Sequence, residues 1–114
     1  MAKNMWNPGG VIGDTAATMT AAGTTSGTAA TMTADNVKVT TVTSAADGVI
    51  LRAAAAGEIF SVCNADATEP LKWYPPSGGS FNGRTADQPA VIPSGKAAIA
   101  ICINATNFNI VIGN

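Results

Sequence analysis

The sequence has no histidine, only 11% charged residues and only 5% aromatic ones. The first two scarcities each close a class of function. Without imidazole the commonest general base and zinc ligand is missing, which removes the usual catalytic triads and most zinc sites. Lys+Arg 6 stand against Asp+Glu 7, with neither sign clustered. No basic stripe is present to neutralise phosphates and no polybasic segment to meet an anionic membrane, so neither nucleic acid nor lipid is expected as a partner. Apolar runs such as residues 97–103 fall far short of the ~20 residues that cross a bilayer. The opening Met1-Ala-Lys-Asn-Met-Trp-Asn-Pro-Gly-Gly10 lacks the apolar stretch of a signal peptide, so synthesis and assembly in a cytoplasm are expected.

The remaining chemistry-bearing residues form no constellation. Carboxylates fall at Asp14, Asp35, Asp47, Glu58, Asp66, Glu69 and Asp87, nearly all beside turn residues. None is paired by spacing for acid/base work or for a metal, and Asp66 and Glu69 merely share a loop. Cys63 and Cys102 lie in separate apolar runs without a CxxC spacing. They read as buried thiols or as a cross-strand disulfide. No enzyme activity and no cofactor is expected.

What is present is β structure. A chain of 114 residues is one domain with one modest core. Short apolar runs at 37–43, 49–51, 58–64, 71–75, 88–92, 96–103 and 108–112 are punctuated by Asp47-Gly48, Gly57, Pro75-Pro76, Asn82-Gly83, Pro93-Ser-Gly95 and Asn104-Ala-Thr-Asn107. Alternation within the runs has the two-residue period of strands. Seven to nine short strands with no convincing helix point to an all-β antiparallel sandwich of jelly-roll type over residues 28–114. In the run 96–103, Ile99, Ile101 and Ile103 share one face, expected to be the core side, opposite Ala98, Ala100 and Cys102. Phe108, Ile110 and Ile112 form the expected inward face of the last strand. Asn82-Gly83 is the strongest two-residue hairpin signal.

Residues 1–27 read as an extended arm. The heptapeptide Thr-Ala-Ala-Thr-Met-Thr-Ala occurs twice, at 15–21 and 28–34. A spacing of this size is too short for a solenoid unit and two copies are too few for an array, so no repeat architecture is expected. Met5, Trp6, Val11, Ile12 and Met19 are the arm's apolar residues and the candidate contacts to a partner. Trp73 and Tyr74, neighbours on opposite faces of a strand, are the candidate surface or interface aromatics.

The stretch Gly48-Val-Ile-Leu-Arg-Ala-Ala-Ala-Ala-Gly57, followed by an apolar strand to Asn64, Leu71-Lys-Trp-Tyr-Pro75, Gly78-Gly-Ser-Phe-Asn-Gly83 and Ile92-Pro-Ser-Gly-Lys96, resembles small β-rich structural proteins of tailed bacteriophages. Gly23-Thr-Thr25 in an Ala/Thr-rich lead-in adds to the likeness, which covers residues 25–114. Arg52 stands where the pattern has Pro, and Trp73 where it has Val. The resemblance implies a capsid decoration or cement protein on the virion exterior, a dimer or trimer bound to the major capsid protein. The alternative it implies is a host-glycan-binding module of a tail fibre or spike. It carries no catalytic residues.

Overall fold

The structure, a computed structural model, describes residues 11–12 and 15–113. No helix occurs among them. Strands fall close to the expected runs, but their pairing does not follow the antiparallel scheme. Successive strands pass to opposite sheets and return beside their predecessors, so that most neighbours run parallel.

Three coils result. The first joins β2 (Ala16–Thr20) to β3 (Ala30–Thr31), the second β4 (Asn36–Thr41) to β5 (Gly48–Ile50), and the third β6 (Glu58–Asn64) to β7 (Leu71–Tyr74). In one sheet Ala16 sits beside Asn36, which sits beside Ser61. In the other, Ala30 sits beside Val49, which sits beside Trp73. All four of these pairings are parallel. The short β1 (Val11–Ile12) also runs parallel to β6, beside Glu58 and Ile59. The stack is closed by antiparallel strands: β9 (Ala90–Ile92) on β7, and the hairpin of β10 (Ala97–Asn104) and β11 (Asn107–Gly113) on β6. A parallel β8 (Ser80–Phe81) flanks β11. The architecture is a β-solenoid with mixed sheets, not an antiparallel sandwich or jelly roll. Alternating sequence specifies a strand and a face but not the direction of its neighbour, and that ambiguity is the source of the discrepancy.

The heptapeptide repeat has a structural meaning that its spacing conceals. Its copies form the two sides of a single coil, one in each sheet. Met32 of the second copy is buried, and Met19 of the first packs against the same core. The first coil therefore begins with β2, inside the segment expected to be an arm. Gly23 turns the chain between the copies at φ 82, where a Cβ would lie 2.0 Å from the Thr28 carbonyl oxygen.

The core lies between the sheets, where Phe60, Val62, Leu71, Trp73, Phe81, Ile92 and Phe108 are essentially inaccessible. Within it Phe81 packs on both Trp73 and Phe108, at 5.6 Å and 6.1 Å between ring centroids. Asn82 and Gly83 have φ of 51 and 73, and Arg84 N–H donates to Phe81 O across the turn at 2.9 Å. The turn is as expected, but no strand returns along β8. Instead the Asn82 side chain accepts from Ile110 N–H at 2.9 Å and donates to Ile110 O at 3.1 Å. The amide thus continues the ladder that β8 begins and masks part of the β11 edge.

Candidate partner-binding face

Sequence reasoning places the large residues of β10 inward, and the structure reverses them. Ala98, Ala100 and Cys102 are buried, whereas Ile99, Ile101 and Ile103 are 51%, 40% and 48% exposed. The cause is the volume of the neighbours. Ala98 lies beside Val62, Ala100 between Phe60 and Ile110, and Cys102 beside Phe108. Large side chains on β6 and β11 already fill the core on both flanks, so β10 contributes small ones between them. Ile112 has the inward parity expected of it but is 42% exposed, near the end of the strand.

The outward face that results is aliphatic. Ile99 stands beside Val111, itself 72% exposed, and Ile101 stands beside Ile59. Cys63 lies on the same face, opposite Ala97. No charged residue occurs from 97 to 113. Burying an Ile or Val side chain fully contributes roughly 1.5–3 kcal/mol, so a half-exposed one leaves about half of that unused. Toward the coils the same face becomes polar. Ser61 Oγ donates to Asn36 Oδ1 at 2.8 Å, and Asn36 Nδ2 donates to Thr15 O at 3.1 Å.

A second candidate is a cleft of about 290 Å³ lined by Thr15, Met32, Thr33, Ala34, Asp35 and Arg52. Its only cation is already engaged. Arg52 Nε donates to Asp35 Oδ1 at 3.0 Å, Nη2 lies 2.8 Å from Glu58 Oε2, and Nη1 donates to Ala53 O at 2.9 Å. The guanidinium also lies 4.8 Å from the centroid of the Phe60 ring. These bonds, led by that to Glu58, raise the Arg52 pKa further above its ordinary value. Arg52 is thus a staple that ties the entry to the second coil, its exit and the start of the third. A guanidinium held by two carboxylates has little left to offer an anionic ligand.

The expected site residues are distributed as follows. Met5 and Trp6 lie outside the described residues. Val11 and Ile12 form β1 beside β6 of their own chain. Met19 points toward the core. Trp73 and Tyr74 are 0% and 4% exposed, so neither ring is at the described surface. Adjacent strand residues face opposite ways, yet Tyr74 is covered as well, with its hydroxyl donating to Thr24 O at 3.1 Å. Burial raises the Tyr74 pKa. Trp73 Nε1 is buried without a hydrogen-bond partner among the described residues. The two cysteines are free. They point to opposite faces of the sheet, Cys63 outward and Cys102 into the core, which rules out a bond between them. Burial raises the Cys102 pKa. No cluster of acidic or thiol groups suited to a metal occurs among the described residues.

No protein-family model, curated protein or solved structure matches the chain. The Ile99, Ile101, Ile103 series makes the aliphatic face legible in the sequence, but its alternation does not say that this face is the outer one.

Proposed function

We propose that the protein is a structural subunit of a virion, of the capsid decoration or cement type, which acts by holding protein surfaces together rather than by catalysis. The observation that carries this reading is the uncharged aliphatic face of β6, β10 and β11, presented on a coil stack whose strand ends are tied by side-chain hydrogen bonds. An exposed apolar patch on a domain with few charges is characteristic of a protein contact surface. The resemblance of residues 25–114 to phage structural proteins supports the virion setting, with the major capsid protein as partner. The glycan-binding alternative lacks support in the described surface, because Phe60, Trp73, Tyr74, Phe81 and Phe108 are all buried and leave no ring for a sugar to stack on.

The reading is tested by mass spectrometry of purified shells that lack tails. Recovery at a copy number comparable with the shell protein is expected. Recovery only in tail fractions, or in no particle, would overturn it.

A further inference from the structure

We propose that Asn82 is a site of spontaneous covalent modification, in which Gly83 N displaces the side-chain amide, and that the grip of β11 on that amide holds the reaction back in the folded chain. The inference goes beyond the virion reading and does not depend on it.

Of the asparagines in the sequence, Asn82 alone precedes a glycine. With no Cβ on the following residue, its backbone nitrogen is uncrowded and can turn toward the side chain before it. The nucleophile is ready. Gly83 is exposed, a Cβ on it would meet nothing within 4 Å, and its N–H has no hydrogen-bond partner among the described residues. Hydroxide from solvent therefore has access to its proton. The electrophile is held instead. Oδ1 of Asn82 accepts from Ile110 N–H at 2.9 Å, Nδ2 donates to Ile110 O at 3.1 Å, and the residue's own N–H donates to Phe108 O at 2.8 Å. These bonds fix the amide plane along β11. Bringing Gly83 N over the face of that amide requires turning it, which breaks both bonds to Ile110.

Asp47-Gly48 provides a contrast within the same chain. The same ring closure is open to an aspartate, but Gly48 is buried and its N–H donates to Gly23 O at 3.1 Å, so there the nucleophile itself is engaged. At Asn82 the step balances simply. The lone pair left on Gly83 N by proton loss forms a bond to Cγ, the Cγ–Nδ2 bond breaks, and Nδ2 leaves as ammonia with a proton from water. Water then opens the cyclic imide at either carbonyl to give aspartate or isoaspartate. A water is consumed, an ammonia is released, and nothing is oxidised or reduced. Neither product has the Nδ2 donor, so Ile110 O loses its partner and the amide that masks part of the β11 edge is not restored. Conversion is thus a one-way record of opening at this edge.

The full chain is held in mildly alkaline buffer with and without guanidinium chloride, then digested with trypsin. Lys72 and Arg84 bound the peptide 73–84, whose change from amide to acid is read by mass, with aspartate and isoaspartate separated by chromatography. Conversion should be slower in the folded chain by roughly tenfold or more, the protection expected of two hydrogen bonds of ordinary net strength. It should quicken in denaturant below the unfolding midpoint, where the edge opens locally. Asn82→Asp, the product made directly, should unfold at a lower denaturant midpoint than the parent chain. Equal rates with and without denaturant, or faster conversion in the folded chain, would overturn the proposal. An Asn82→Asp chain as stable as the parent would also overturn it, because the amide would then not be what β11 holds.

Discussion

Residues 16–74 and residues 97–113 are both β structure built on the same core, yet they are held by different means. At each corner of the coils the chain leaves one sheet for the other, so its backbone groups lose ladder partners and side chains replace them. Arg52 binds Asp35 and Glu58. Asn64 donates from one amide to both Glu69 O and Ile92 O and accepts from Asp66 N–H. Asp66 accepts from the N–H groups of Val42, Thr68 and Glu69. The hairpin needs far less. β10 and β11 satisfy each other over most of their length, and one residue, Asn104, accepts from Thr106 N–H and Asn107 N–H to close the turn. Freed from polar corners, the hairpin contains no charge and presents aliphatic groups on its outward side. The coils thus fix the geometry, and the hairpin supplies the exposed aliphatic surface.

The sharpest test of this division is Trp73→Ala. The indole is fully buried in the third coil and packs on Phe81, so removal should cost about 3–5 kcal/mol. The measurement is the shift in a urea unfolding midpoint. A loss near 1 kcal/mol would mean that the coils do not share one core. Asn64→Ala comes next. It leaves one buried carbonyl, one part-buried carbonyl and one N–H without their partner, and should cost about 2–4 kcal/mol. A cost comparable with a surface substitution would show that the corners are not held by side chains.

The two sides of the hairpin provide the third test. Ala100→Ile inserts three carbons between Phe60 and Ile110 and should destabilise by about 1–3 kcal/mol. Val111→Thr, on the exposed side, should change the stability of dilute protein by less than about 0.5 kcal/mol. Equal effects would indicate that the large residues face inward after all.

That last pair marks where sequence reasoning loses its hold. The alternation of 97–103 locates β10 and separates its faces, but which face is inner depends on Phe60, remote in sequence and adjacent only after pairing, together with Phe108 across the hairpin. Strand positions are legible because period and turn residues are local, as in Glu58–Asn64. Parallel pairing is not, since 65–70 has the composition of a turn whether it closes a hairpin or carries the chain to another sheet. The heptapeptide repeat misleads for a related reason, because its spacing is that of two sides of one coil and not of successive coils. Asn82 is legible as a turn residue at φ 51, but its grip on Ile110 requires knowing that β11 lies alongside.

The smallest expected effect concerns a coil corner and its dependence on pH. The bonds from Val42, Glu69 and Thr68 hold the Asp66 carboxylate well below the ordinary range, lowered from 3.8 to about 2. A carboxylate whose folded pKa is depressed favours folding when ionised, so its contribution is complete above pH 3.8 and is lost as pH falls through about 2. Asp66→Asn removes the charge at every pH. It should lower the urea midpoint at neutral pH, and the difference from the unmodified chain should close as pH is lowered through that window. Because solvent screens the group, the gap should be smaller than for Trp73→Ala, Asn64→Ala or Ala100→Ile. A gap that persists unchanged to pH 2 would mean that the loop is held by the shape of residue 66 and not by its charge. Val42 N–H would then need another acceptor at the corner between the second coil and the third.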